Sequence, residues 1–195
     1  SNQNLSEEFI DEMNKYVDWK NITKYQQKNL SWKFIEKYKH HMDWFIISSQ
    51  YKLSEKKIEK YYEFIDWHKI SARPILSEGF LRKHIHKFSL FEICKNQKVS
   101  AQFITEYADK MDCGKGWQLD CWLACSFNQR IKKDEKFIED FNDELDWQGL
   151  ILNQKISDEL MLKYKHKIKS DYLNSSQHVS KAFKKKHLDK FERSN

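Results

Sequence analysis

A single proline, Pro74, and four glycines in 195 residues leave this chain almost without the punctuation that hairpins and tight turns need. Strands joined by turns are therefore not expected, and the chain should be nearly all helix. Cysteine is sparse too, with Cys94, Cys113, Cys121 and Cys125 confined to the middle of the sequence. Disulfide scaffolds are short, secreted and Cys-dense, so thiols in a reducing compartment are the expectation. No stretch approaches the roughly 20 apolar residues of a membrane span, and the opening residues lack the basic and apolar regions of a secretory leader. A soluble intracellular protein with no membrane partner is expected.

Signatures of chemistry are missing as well. There is no Gly-rich phosphate loop, nucleophile elbow, H-E-x-x-H or Walker-type lysine motif. Cys113, Cys121 and Cys125 are spaced C-x7-C-x3-C, without the paired C-x2-C of structural zinc sites. His84 and His187 fall on an apolar helix stripe, where a hydrogen-bonded core or edge histidine is expected, and the other histidines show no fixed partner. Adjacent carboxylates such as Asp11 with Glu12 and Glu139 with Asp140 lie on polar helix faces. The expectation is a non-enzyme with no cofactor, no metal and no catalytic residues.

What the chain does have is a repeat of 23 residues, read from polar cap positions at Ser6, Ser31, Ser54, Ser77, Ser100, Asp134, Ser157 and Ser180. Apolar side chains follow each cap after three, four, seven and eleven residues, as in Phe9, Ile10, Met13 and Val17, or Phe103, Ile104, Tyr107 and Met111. That spacing lays them on one stripe of a helix. A Ser or Asp oxygen can accept from the exposed N–H groups of the first turn, and Glu7, Glu8, Glu55, Glu78 and Glu135 put negative charge at the positive end of the dipole. Twelve residues after the cap comes a second polar start, Asp18-Trp19, Asp43-Trp44, Asp66-Trp67 and Asp146-Trp147, each followed by Ile or Leu three residues after the Trp. Each unit therefore reads as a helix of about three turns and a second of one to two turns. Units of this size cannot bury their apolar faces alone, so they stack. The expected fold is all-α: one domain over residues 1–195, a solenoid-like array of about eight short helix-turn-helix repeats, the last incomplete.

Two places break the pattern. Between Ser100 and Asp134 the spacing is 34, an addition of 11 residues at about 114–124, where Trp117, Cys121, Trp122 and Cys125 recur at helical spacing. The insertion is expected to lengthen the second helix. Insertions in repeat arrays often lie on the binding face, which makes Lys115, Trp117 and Trp122 candidate contacts, although aromatic residues at this spacing more often pack inward. The second break is charge. Residues 1–150 hold 24 basic and 24 acidic side chains, whereas residues 151–195 hold 11 and 5, so the net charge of +6 sits at the end. Lys163, Lys165 and Lys185, with Tyr164 and His166 nearby, could attract phosphate and stack bases. A terminal repeat also needs a polar outer face, which lysines supply.

The segments LSEEFI, VDWKNITKYQ, LSWKFIEKYKHHMDWFIISSQ, LSEKKIEKYYEFIDWHKIS and DEKFIEDFNDELDW resemble a tandem repeat of proteins from large DNA viruses and bacteriophages, whose pattern runs L-S-E-x-F-I-E-K-y-x-x-x-V-D-W-x-x-I-S-x-x-Q. The likeness is close in units one, two, three and six. Unit four has Ser89-Leu90 in place of Asp-Trp, unit five Asp112-Cys113 and unit seven Lys169-Ser170, which suits a packing role for the Trp. The resemblance implies viral origin, a repeat scaffold and a place in the host cytoplasm. It carries over no catalytic residues. On this basis the expected function is binding of a host or viral protein to block a defence factor. The alternative is a nucleic-acid- or nucleotide-binding module that sequesters a signal. The open ends of such an array also invite self-association.

Overall fold

A computed structural model describes residues 4–73, 76–111, 120–128 and 134–191. The described residues form short helices and no β-strand. The chain divides into two compact parts, Ser1–Ile70 and Ser71–Asn195. In the first lie α1 (Glu7–Glu12), α2 (Trp19–Tyr25), α3 (Trp32–Lys37), α4 (Trp44–Gln50) and α5 (Glu55–Lys60), with α6 (Trp67–Ser71) at its end. In the second lie α7 (Glu78–Lys83), α8 (Leu90–Asn96), α9 (Ala101–Glu106), α10 (Cys121–Phe127), α11 (Glu135–Asp140), α12 (Trp147–Asn153), α13 (Asp158–Lys163), α14 (Ser170–Ser175) and α15 (Lys181–His187).

The caps form as their chemistry dictates. Ser6, Ser31, Ser77, Ser100, Asp134, Ser157 and Ser180 each accept from the N–H three residues on. Ser54 takes the same extended backbone without a side-chain bond. Asp18, Asp43, Asp120 and Asp146 cap the second helices, and Ser89 does so where Asp is replaced. Lys169 caps none, having no acceptor to offer.

The first helix is shorter than its apolar period suggests. In seven of the eight units α-geometry stops after six residues, and the chain continues in a turn or a 3₁₀ segment, as at Ile85–Lys87 and Lys165–Lys167. Where a unit carries the Asp-Trp step, the tryptophan reaches back to this point. The indole N–H groups of Trp19, Trp44, Trp67 and Trp147 donate to the carbonyls of Asn14, Lys39, Tyr62 and Asn142, at 3.2, 2.7, 3.3 and 3.0 Å. Each carbonyl is freed by the break in the helix ladder, so the break and the indole satisfy each other.

Successive units join through three recurrent contacts. Second helices pack on one another, α2 on α4 in the first part and α8 on α10, α10 on α12 and α12 on α14 in the second. Ile22, Ile47, Ile93, Leu150 and Leu173 fill these contacts, all buried. Buried hydroxyls link them in register: Thr23 accepts from the Asp43 N–H, Ser48 from Asp66 at 2.9 Å and Ser126 from Asp146 at 2.9 Å. Three of these indoles also pack on an aromatic of the next unit, Trp19 on Tyr38 at 4.6 Å, Trp44 on Tyr61 at 4.9 Å and Trp147 on Tyr164 at 4.8 Å. The recurring residues of the repeat are thus explained by packing and hydrogen bonding. The Gln that ends a unit has a structural role too: Gln97 donates to the Ser71 carbonyl at 3.0 Å, and Gln26 accepts from Leu5 and Asn29.

Candidate functional site

Unit five carries the candidate contact surface, and its geometry differs from the sequence expectation. The second helix there begins at the Asp120 cap, twenty residues after Ser100, and not at Asp112. α10 is seven residues long, the length of α2, α4, α8 and α12, so the insertion does not lengthen it. Lys115 and Trp117 lie outside the described residues.

Trp122 is half-buried and stacks on Phe141 of the next unit at 4.9 Å, as the repeat tryptophans do on theirs. Ser126 likewise takes the place of Thr23 and Ser48, donating to the Trp122 carbonyl at 2.8 Å while accepting from Asp146. The whole inward face of α10 is turned by one residue relative to the other second helices, with Cys121 and Cys125 buried beside it. Cys121 is disulfide-bonded, so the expectation of thiols throughout is corrected there. Cys94 and Cys125 keep buried thiols, and Cys94 approaches the Met111 sulfur at 3.4 Å.

The outward face of α10 holds what the sequence reading missed. Leu123 and Phe127, one turn apart, are 38% and 45% exposed. The corresponding outward positions are Lys20 and Lys24 on α2, Phe45 and Ser49 on α4, and Phe91 and Lys95 on α8. Phe45 lies under the Lys69 ammonium at 4.5 Å and Phe91 under Lys95 at 5.5 Å. Among the described residues, only α10 of these helices puts two apolar side chains on the outward turn with no lysine recorded over them. Phe127 also lies against Gly149, where a Cβ would meet its ring at 2.7 Å. A comparison of outward positions from unit to unit would have found the pair; the pull of the tryptophans concealed it.

The basic end resolves into paired and unpaired lysines. Lys163 is ion-paired with Glu139, which raises its pKa. Lys167 pairs with Asp143 and donates to the Asn142 carbonyl at 2.9 Å. Lys184 donates to the carbonyls of Asn174 and Ser176, at 2.8 and 2.6 Å, closing the end of α14. Lys165 and Lys185 are exposed and carry no ion pair among the described residues. Lys185 lines an open groove of about 490 Å³ with Lys184, Lys186, Leu188 and Phe191. Of the three lysines singled out in the sequence, Lys163 is thus ion-paired, and Lys165 and Lys185 carry no ion pair among the described residues.

Two histidines were placed on the apolar stripe. His84 is buried with its ring 4.7 Å from Phe80, and His187 is half-buried at 5.0 Å from Phe183. The His187 Nδ1 is buried with no hydrogen-bond partner among the described residues. Among the described residues no three His, Cys, Asp or Glu side chains gather as metal ligands would. No described helix is long and apolar enough to cross a membrane. Compared with known proteins, the chain matches no family model, no curated protein and no solved structure.

Proposed function

We propose that this is a non-enzymatic helical-repeat protein of viral or phage origin, carried on solenoid-like runs of repeats within each part, that binds a host or viral protein in the host cytoplasm and thereby blocks a defence factor. The observation that supports this reading is the exposed Leu123–Phe127 turn of α10. The repeat tryptophans of known geometry, the hydroxyls and the caps are occupied in holding units together, so they are not available to a ligand. An apolar pair on a rigid helix, beside the one place where the repeat is interrupted, is the kind of anchor a protein partner fills.

The test is to express tagged protein in the natural host cell, crosslink, and identify what is recovered by mass spectrometry. A single protein recovered with the parent chain and lost with Leu123→Asp and Phe127→Asp, both variants retaining the parent far-UV circular dichroism, supports the reading. Recovery that is unchanged by both substitutions, or recovery of nucleotide alone, overturns it.

The second reading, capture of nucleic acid or a nucleotide, is favoured by one observation, the groove lined by three consecutive lysines. Binding of a single-stranded oligonucleotide should then weaken steeply with salt and with Lys185→Glu. Insensitivity to both refutes it.

A further inference from the structure

Neighbouring first helices are tied to one another at fixed positions. The side chain five residues after one cap pairs with that six residues after the next: Asp11 with Lys37, Glu36 with Lys60 and Glu139 with Lys163. Between α7 and α9 the polarity is reversed, with Arg82 at the earlier position and Glu106 at the later, 2.7 Å apart. The tie therefore follows position, whichever sign each partner carries. A carboxylate one residue after the cap adds a second tie in two of these joints. Glu7 accepts from the N–H and hydroxyl of Ser31, and Glu78 from those of Ser100. Exposed pairs of this kind add little stability, and what they fix is the register and angle between helices.

The joint between α9 and α11 has neither tie. Its two pairing positions hold Thr105 and Asp140, and the Thr105 hydroxyl donates within its own helix, to the Ala101 carbonyl at 3.1 Å. Ala101 stands where Glu7 and Glu78 stand, and the next cap is Asp134, beside which a glutamate would set two carboxylates together. Every residue of α9 and α11 is described, and among the described residues no side-chain hydrogen bond or ion pair crosses from one helix to the other. An open groove of about 480 Å³ lies there, lined by Ala101, Gln102 and Asp134 together with Glu78 and Lys98. The second-helix side of the same joint is closely bound. Trp122 packs on Phe141 at 4.9 Å, Ser126 accepts from the Asp146 N–H at 2.9 Å, and Gln154 donates to the Asn128 carbonyl at 3.3 Å. Between α13 and α15 the pair is missing too, with Leu162 and Lys186 at its positions, but there Lys184 ties α15 to the end of α14.

We infer that the α9–α11 joint is a hinge within the second part of the chain: the two first helices separate and close again while the α10–α12 contact serves as the pivot. On one side of it move α7–α10, on the other α11–α15. A hinge of this kind needs one pair of elements that keeps its packing and one pair with few contacts to hold it. Phe127 rests on Gly149 across the pivot, so opening also shifts the ring that a protein partner would hold. That consequence rests on the proposed function, whereas the hinge itself does not.

Pulsed electron resonance distances in the whole chain test this, with spin labels carried on p-acetylphenylalanine so that the cysteines are left untouched. Gln102, Lys136 and Glu159 share one position, two residues after successive caps, and all three are exposed, so labels there leave the fold in place, which far-UV circular dichroism checks. The distance distribution for labels at Gln102 and Lys136 should be about twice as broad as that for Lys136 and Glu159, whose helices are tied by Glu139 and Lys163. Thr105→Lys sets an ammonium opposite Asp140 in the polarity of Arg82 and Glu106, and should narrow the first distribution to the width of the second. Thr105→Ser, which brings no charge, should leave it broad. Equal widths in the parent chain overturn the inference. So does a first distribution that Thr105→Lys leaves as broad as before, or that Thr105→Ser narrows as much. These readouts require no partner protein or nucleic acid, so they stand apart from the proposed function.

Discussion

Replacing Trp44 by alanine removes a side chain that is 9% exposed, its indole N–H bond to the Lys39 carbonyl at 2.7 Å, and ring contacts to Tyr61 at 4.9 Å and Phe64 at 5.2 Å. Truncating a buried Trp or Phe to Ala costs about 3–5 kcal/mol, and aromatic pairs add about 0.5–1.5 kcal/mol beyond burial. The freed Lys39 carbonyl can be met by water, so its loss adds little. The expected cost is about 4 kcal/mol, a large share of the roughly 5–15 kcal/mol that stabilises an ordinary domain. Trp44→Phe keeps the ring stack and loses the N–H bond and some volume, so it should cost about 1–2 kcal/mol. Lys39→Ala, whose side chain lies outside the core while its carbonyl stays in place, should leave the transition nearly unchanged. Urea unfolding followed by far-UV circular dichroism gives the three values without relying on the indole signal. A cost for Trp44→Ala below about 1 kcal/mol would refute the assignment of the Asp-Trp step to packing.

Ser48→Ala should cost about 1–3 kcal/mol in the same assay, because Ser48 is fully buried and its loss strands the Asp66 N–H; exposed Ser49→Ala is the matched control and should cost far less. Glu36 is held at a pKa of about 2, below its ordinary 4.5, chiefly by the Lys60 hydrogen bond and then by Tyr61 and Lys39. A depressed carboxylate contributes stability that is present above the unfolded pKa and is lost as pH falls toward the folded one. The acid limb of the stability curve between about pH 4.5 and pH 2 should therefore be shallower in Glu36→Gln, and a curve parallel to the parent's would count against the pairing. Gly149→Ala places a Cβ 2.7 Å from the Phe127 ring, so its gain in helix propensity, about 1 kcal/mol, should be cancelled in the parent and recovered in a Phe127→Ala background. Additive thermal shifts for the two substitutions would show that the ring does not rest on the glycine.

Much of the fold was legible because capping and helical periodicity are local. Ser31, Asp43 and Asp146 cap helices for reasons contained in the three residues that follow them. The length of the first helix was not legible, since the apolar period runs on through the turn or 3₁₀ segment that follows the six α-helical residues. Unit five was misread because Asp112-Cys113 and Asp120-Cys121 both resemble a cap and its first helical residue. The candidate contact surface was harder still. Trp122 and Leu123 are neighbours in sequence, yet one is held against Phe141 and the other faces outward.

By itself the sequence determined the repeat, its caps, its helical character and the charge excess at the end, all properties of residues and their near neighbours. Only the tertiary structure decided which lysines are spoken for, as Lys163 and Lys184 are, and which apolar side chains go uncovered, as Phe9, Leu123 and Phe127 do. The physical reason is that a cap or a period is set by bonds within one turn, whereas exposure and pairing depend on what the next unit brings against it, 23 residues away in the chain.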